Sequence, residues 1–257
     1  MSYMRKEFSY NVILLAAGKG SRMEDLTQEK TKGLLDCCGK KVIDWMLEAI
    51  IKRNDGEIVV VTGYSSNILE QHLQQTYGDR VKTIRNDKYE QDVNILSVEI
   101  GVAALRCPEK GYLIVETDLL LNDAAWDKVF ASLDAHRSFW VCKGYYHREL
   151  TGGIVSADSN GEITVVDYQP VYDPKFDGWF KMIGMLAVGP DEVLMDRAVR
   201  QQAIAESTLQ YYLTPWSKGI AFLPCRVLEL TDEFASSFNT KDQFYEISKA
   251  FSLTISA

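Results

Sequence analysis

Residues Asn11–Ala16 read NVILLA, six residues with no polar alternation, and the run stops at Gly18 and Gly20. An apolar stretch this short and continuous, closed by glycine, has the pattern of a strand buried on both faces, as in parallel sheets covered by helices. The following residues supply such helices. VIDWMLEAIIK (residues 42–52) has apolar side chains at helical spacing, and EIVVV (57–61) is a second buried strand closed by Thr62-Gly63. The alternation continues with a helix near 67–76, a strand at 81–84, a helix at 95–105 and a strand at 112–116. Strands and helices in this order predict an α/β fold with a mostly parallel sheet covered on both faces.

Beyond Asp118 the rhythm changes to a helix at 124–133, a strand at 139–143 and short strands around 153–156 and 163–167. The last two flank Ser159-Asn160-Gly161 and read as a hairpin. Residues 181–188 return to the sheet, helices run from about 191 to 210, a strand lies near 227–230, and a final helix starts near Thr240. With no repeat and no linker, the expectation is one domain over residues 1–257, carrying a hairpin excursion at about 144–180.

Of the 257 residues 46% are hydrophobic, enough for a substantial core. The net charge of -8 argues against a general nucleic-acid binder, which needs a basic surface. A small anionic ligand is still allowed. Residues 19–41 carry six Lys or Arg (Lys19, Arg22, Lys30, Lys32, Lys40, Lys41) against four acids, a locally positive segment in an acidic chain. The five cysteines show no C-x-x-C spacing, so no disulfide framework is expected and a reducing cytoplasm fits best. Vicinal Cys37-Cys38 is read as packing, and His72, His136 and His147 have no ligand or triad spacing. No segment has the length and apolarity of a membrane span.

The glycine loop, Gly18-Lys19-Gly20-Ser21-Arg22, lacks the G-x-x-x-x-G-K-[ST] of a Walker loop. It also lacks the third glycine of a dinucleotide fingerprint, and the second strand ends in Thr62-Gly63 rather than an acid. Two readings remain. One is a loop whose backbone N–H groups approach phosphate oxygens while Lys19 and Arg22 add charge; the other is an ordinary strand-to-helix turn.

Taken together, LAAGKGSRM and KTKGLLDCCGKKVIDWML resemble the nucleotidyltransferase signature L-A-A-G-x-G-x-R-[LM] followed by P-K-x-L and G-x-P-[LIV]-[LI]. Thr31 and Lys41 stand where that signature has prolines. Within the superfamily the chain is most similar to the small cytidylyltransferases acting on phosphocholine or 2-aminoethylphosphonate. The supporting stretches are VTGYSSN, NDKYEQDVNILSV and LIVETDLLL, and the likeness covers nearly the whole chain, most strongly up to about residue 121. It implies a Rossmann-like, three-layer, doubly wound sheet with a small β-hairpin lobe on the acceptor side.

The resemblance also implies the chemistry, a phosphate or phosphonate oxygen attacking the α-phosphorus of CTP and expelling pyrophosphate. Two anions must then be brought together, so cations are required. Lys19 and Arg22 match positions that hold the triphosphate, and Lys32 matches the lysine at the α-phosphate or the acceptor. A divalent ion, Mg²⁺ or Mn²⁺, is expected on Asp118, just beyond a buried strand, with Asn239 as partner ligand or, alternatively, a helix cap. Nucleotide contacts fall on Leu15, Ala16, Ala17, Gly18, Gly20 and Ser21, on the Thr62-Gly63-Tyr64 turn, and on Asn94 and Ser97. For the acceptor the expected contacts are Glu116, Lys181, Tyr146 and Tyr168. The partners are thus a nucleoside triphosphate and a small phosphate or phosphonate acceptor, with no nucleic acid and no membrane; a homodimer is compatible with all of this. Two alternatives stay open: a sugar-1-phosphate nucleotidylyltransferase using UTP, dTTP or GTP, and a non-catalytic nucleotide-binding regulator.

Overall fold

The computed structural model describes residues 9–133 and 137–255, which leaves His136 outside the described residues. The first half runs β1 (Asn11–Ala16), a two-strand ribbon β2 (Asp36–Cys37) and β3 (Lys40–Lys41), α1 (Val42–Arg53), β4 (Ile58–Thr62), α2 (Ser66–Tyr77), β5 (Lys82–Arg85), α3 (Ile95–Ala104) and β6 (Tyr112–Glu116). The second half runs β7 (Leu119–Leu121), α4 (Asp123–Leu133), β8 (Ser138–Tyr145), β9 (Gly152–Ala157), β10 (Ile163–Gln169), β11 (Phe180–Val188), α5 (Val193–Glu206), α6 (Thr214–Gly219), β12 (Cys225–Glu229), β13 (Ala235–Ser237) and α7 (Lys241–Ile255).

β6, β1, β4 and β5 lie side by side and parallel, with Leu15 paired to Val61 on one edge and Glu116 on the other. Alternate residues of β1 enter different cores, which explains its lack of polar positions. Val12, Leu14 and Ala16 face α1, α2, α4 and α7, while Ile13 and Leu15 face α3, α5 and α6. The three-layer α/β arrangement expected from the sequence is therefore present. β11 joins antiparallel to β6. On one edge its first residues, Phe180 and Lys181, pair with β9 of the β9–β10 hairpin; on the other edge residues from Phe180 to Ala187 pair with β8, which carries β12 on its far edge.

Four elements differ from the sequence expectation. The helix expected to reach residue 210 ends at Glu206; Ser207 is extended, and the Thr208 carbonyl then accepts from Val93 N–H at 3.2 Å. A short helix, α6, follows with Pro215 in its first turn, where proline costs no hydrogen bond. β7 and β13, each only three residues long, pair antiparallel from Leu119↔Ser237 to Leu121↔Ala235. This last pairing fastens the C-terminal segment beside the end of β6.

After β1 the chain moves to β4 and β5 on one side, then crosses to β6 on the other. The loops leaving β1 and β6 diverge there and open a crevice at the carboxyl ends of the parallel strands, where ligands of such sheets bind.

Candidate active site

The crevice is a cavity of about 630 Å³, in the size range of small-ligand sites. Leu15, Ala16, Ala17, Gly18, Gly20 and Ser21 line one wall, and Glu116 and Asp118 the floor. Gly20 has a φ of +65°, which glycine adopts without strain. A Cβ there would stand 3.0 Å from Lys32 Cγ, so the glycine also makes room for the lysine stem.

Lys32 sits in a single 3-10 turn, Lys32–Leu34, preceded by Thr31 at φ -73°. Lys41, ahead of α1, also has φ -73°. Proline would impose nearly the same value, so the two positions that depart from the signature keep its backbone path. The turn aims Lys32 across the crevice. Its Nζ donates to Asp118 Oδ2 at 2.8 Å and to the Phe238 carbonyl at 3.3 Å, and both charged side chains are only 14% exposed.

The C-terminal wall is built by a cap. Thr240 Oγ1 accepts from Gln243 N–H at 3.3 Å, while Gln243 Oε1 accepts from the N–H groups of Asn239 at 2.8 Å and Thr240 at 3.2 Å. This reciprocal box satisfies the start of α7 through Thr240 and Gln243. The Asn239 side chain is consequently not needed for capping, and its Oδ1 accepts from Arg22 Nη2 at 2.6 Å. Asn122, not Asp118, caps α4, through Ala125 N–H at 3.0 Å.

Two side-chain oxygens in the crevice are buried without a hydrogen-bond partner, Asp118 Oδ1 and Thr31 Oγ1. A bare buried carboxylate oxygen is costly, and hard oxygen donors of this kind match a hard divalent cation. Among the described residues no three His, Cys, Asp or Glu side chains converge as a metal cage. Mg²⁺ bound with a nucleotide takes only one or two protein carboxylates, completing its shell with phosphate and water, so the donor set of Asp118 and Asn239 fits it.

Glu116 lies deeper. Burial, and secondarily the neighbouring Asp118, pushes its carboxyl up to about 7. Asn94 Nδ2 donates to Glu116 Oε1 at 3.2 Å, and Asn94 Oδ1 accepts from Tyr212 N–H at 2.8 Å, so Asn94 is fixed by the protein itself. Lys181 Nζ lies over the Met182 carbonyl at 2.6 Å, and burial pulls it below the usual lysine range. Tyr168 lines the same end, its hydroxyl 2.9 Å from that of Tyr211 and the two rings 4.3 Å apart.

Other expected residues are placed differently. Lys19 stays exposed at the outer rim, its Nζ 5.7 Å from the Tyr64 ring centroid. Thr62, Gly63 and Tyr64 do not line the cavity but stand behind the loop. Thr62 donates to Glu70 at 2.6 Å, Tyr64 N–H donates to the Ala17 carbonyl at 2.9 Å, and the Tyr64 hydroxyl donates to the Gln28 carbonyl. Ser97 lines the cavity, yet its hydroxyl is committed to Asp92 at 2.8 Å and accepts from Asn86 at 2.9 Å. Tyr146 is buried in the hairpin region, stacked on Tyr172 with its hydroxyl on the Val171 carbonyl at 3.0 Å, and does not reach the cavity. Sequence reasoning missed Thr31 as a polar lining group, together with Asp92, Tyr211 and Tyr212. Only the adjacent tyrosines after a helix-ending Ser-Thr pair gave any local signal.

His72 pairs with Asp44 at 2.8 Å, outside the cavity. All five thiols are free, and no helix among the described residues is long and apolar enough to cross a membrane.

Residues 12–170 match the model of the MobA-like NTP transferase domain. Over 169 residues the chain is 29% identical to the choline-phosphate cytidylyltransferase of Haemophilus influenzae, covering 65% of this chain and 66% of that one. It is 25% identical over 166 residues to a UTP–glucose-1-phosphate uridylyltransferase of Haloferax volcanii, covering 63% of this chain and 66% of the relative. These matched stretches thus span just under two thirds of the relatives' own length. The structure of CTP:phosphocholine cytidylyltransferase from Streptococcus pneumoniae superposes with a TM-score of 0.78 at 16% identity, covering 95% of this chain and 99% of that one, so the two share a fold. With more than half of its length matched by the family model, and with a crevice at the switch point of its sheet, this chain belongs to the MobA-like NTP transferase family.

Proposed function

We propose that the protein transfers a nucleotidyl group, CMP in preference, from a nucleoside triphosphate to a phosphate or phosphonate oxygen of a small alcohol or amine derivative. The observation that carries this reading is the crevice in which Lys32, Arg22, Asp118 and Asn239 meet beside the glycine loop. An anionic nucleophile must approach an anionic phosphorus there, and fixed cations lower that barrier more than any proton transfer would. Arg22 and the loop N–H groups orient the β- and γ-phosphates, Lys32 neutralises the α-phosphate as the acceptor oxygen attacks in line, and pyrophosphate leaves toward Arg22. Lys19, at the rim, adds long-range attraction for the polyanion.

Asp118 and Asn239 would hold a divalent ion, which when bound supplies Lewis-acid neutralisation of the phosphate oxygens. At the other end, Lys181 faces the acceptor's phosphate, Glu116 and Tyr168 its remaining groups. The choice of CTP follows the cytidylyltransferase relatives, and a reducing cytoplasmic location accords with five unpaired thiols.

Pyrophosphate release with CTP, UTP, dTTP and GTP, each against phosphocholine, 2-aminoethylphosphonate, glycerol phosphate and glucose-1-phosphate, tests the proposal. The expected result is turnover with CTP and a non-sugar acceptor. Turnover confined to a sugar-1-phosphate would replace the acceptor class, and no release with any pair would end the proposal.

A further inference from the structure

In the crevice, each of the two residues suited to the divalent ion has one oxygen engaged by a cation suited to the phosphates. Lys32 Nζ is 2.8 Å from Asp118 Oδ2, and Arg22 Nη2 is 2.6 Å from Asn239 Oδ1. The lysine is held from two further sides, by the Phe238 carbonyl at 3.3 Å and by the Gly20 backbone under its stem. At 14% exposure for each partner, water screens this ion pair far less than a surface pair. The second Asp118 oxygen stays bare.

We propose that these two pairings form a latch that makes the divalent ion and the triphosphate bind as one, each opening the site for the other. The inference rests on the reading of the crevice as a metal–triphosphate site, and concerns what its residues do before either ligand arrives. A divalent ion coming alone meets the Lys32 ammonium on the carboxylate it needs. It must share that carboxylate with a like charge or expel the lysine without a new partner, and separating a partly buried pair is expensive. A triphosphate coming alone meets the converse problem. Taking Lys32 and Arg22 from their partners leaves the Asp118 carboxylate unpaired beside a polyanion.

When both ligands arrive, the partners exchange. Lys32 and Arg22 pass to phosphate oxygens, Asp118 and Asn239 pass to the ion, and none of the charges that made the two pairings is left uncompensated. Such coupling is reciprocal by thermodynamic necessity. It also gives Lys32 a second task besides neutralising the α-phosphate, that of keeping the ion out until nucleotide is present.

The test is Mn²⁺ binding followed by electron paramagnetic resonance on the wild-type protein, on Lys32→Met and Lys32→Gln, and on the double variant Lys32→Met/Asp118→Asn. Two neutral replacements are used so that a folding defect in one does not decide the outcome. Without nucleotide, either single variant is expected to bind Mn²⁺ at least about fivefold more tightly than wild type, the lower end of typical coupling factors. The gain should vanish in the double variant. With CTP present, calorimetry on the same single variants should show weaker binding of the Mn²⁺–CTP complex than in wild type. Metal-alone affinity that is unchanged or reduced in both single variants overturns the latch while leaving the site intact. A wild-type protein that binds CTP neither with nor without Mn²⁺ overturns the site assignment, and the latch with it.

Discussion

Gly184 in β11 and Glu116 in β6 meet so closely that the glycine has no room for a side chain: a Cβ would stand 2.8 Å from Glu116 Oε2 and 3.1 Å from its Cδ. The glycine also has a φ of +80°, which side-chain-bearing residues rarely adopt. Gly184→Ala should therefore cost about 1–3 kcal/mol in denaturant unfolding from backbone strain alone, with the steric contact added to it. Removing the carboxylate in Gly184→Ala/Glu116→Ala should relieve the two tightest contacts but not the strain, so the double variant should lose less than the sum of the singles. Strict additivity would show that the two residues do not press on each other.

At the start of α7 the cap rests on Thr240 and Gln243, which leaves the Asn239 side chain for the proposed ligand role. Thr240→Ala removes half of the reciprocal box and should lower stability by about 1 kcal/mol while leaving pyrophosphate release close to wild type. Asn239→Ala should do the reverse, leaving the unfolding midpoint nearly unmoved and lowering kcat/KM roughly tenfold or more. If Asn239→Ala lost stability and kept activity, its side chain would be structural.

Cys37 and Cys38 are adjacent, with sulfurs 3.7 Å apart, yet they should react very differently. Cys38 is exposed, whereas Cys37 is buried, its thiol pushed up to about 11 chiefly by that burial. Burial raises the thiols of Cys142 and Cys225 as well. Alkylation with iodoacetamide near neutral pH, read by peptide mass spectrometry, should label Cys38 first and the half-buried Cys107 more slowly. Cys37, Cys142 and Cys225 should be modified only on unfolding. Equal rates at Cys37 and Cys38 would contradict the packing of this turn.

What the sequence revealed about the site follows from how locally each part is encoded. β1, the glycine loop and Arg22 lie within a dozen residues and carry their geometry in glycine placement and apolar patterning, whereas Lys32 is assigned through the resemblance. Asp118 follows from its place one step beyond a buried strand. Asn239 came through resemblance alone, since its approach depends on β7 pairing with β13, two three-residue segments too short for any periodicity. Thr62, Gly63 and Tyr64 are pocket residues by the resemblance, but hydrogen bonds to Ala17, Gln28 and Glu70 turn them into a support behind the loop. Tyr146 read as an acceptor contact by composition, and packing drew it into the small aromatic cluster with Phe176. Tyr211 and Tyr212 reach the cavity because the helix stops at Glu206, four residues before the expected end near 210, and the chain turns back toward the crevice.

Asp118→Asn removes the charge at the floor of the crevice while keeping the shape of the side chain. Lys32 retains the Phe238 carbonyl as a partner, so the fold should hold, with an unfolding midpoint close to wild type. Turnover should nevertheless fall by about 10²–10³-fold in kcat/KM, the scale for losing one charge-stabilising group in a preorganised site. Metal-free CTP binding should move the other way. The polyanion no longer faces a carboxylate, and Lys32 is no longer bound to one, so calorimetry without divalent ions should show binding equal to or tighter than wild type. Lower turnover with retained or improved metal-free binding separates an enzyme from a nucleotide-binding regulator. A regulator would bind CTP, release no pyrophosphate in either form, and be indifferent to the loss of this charge.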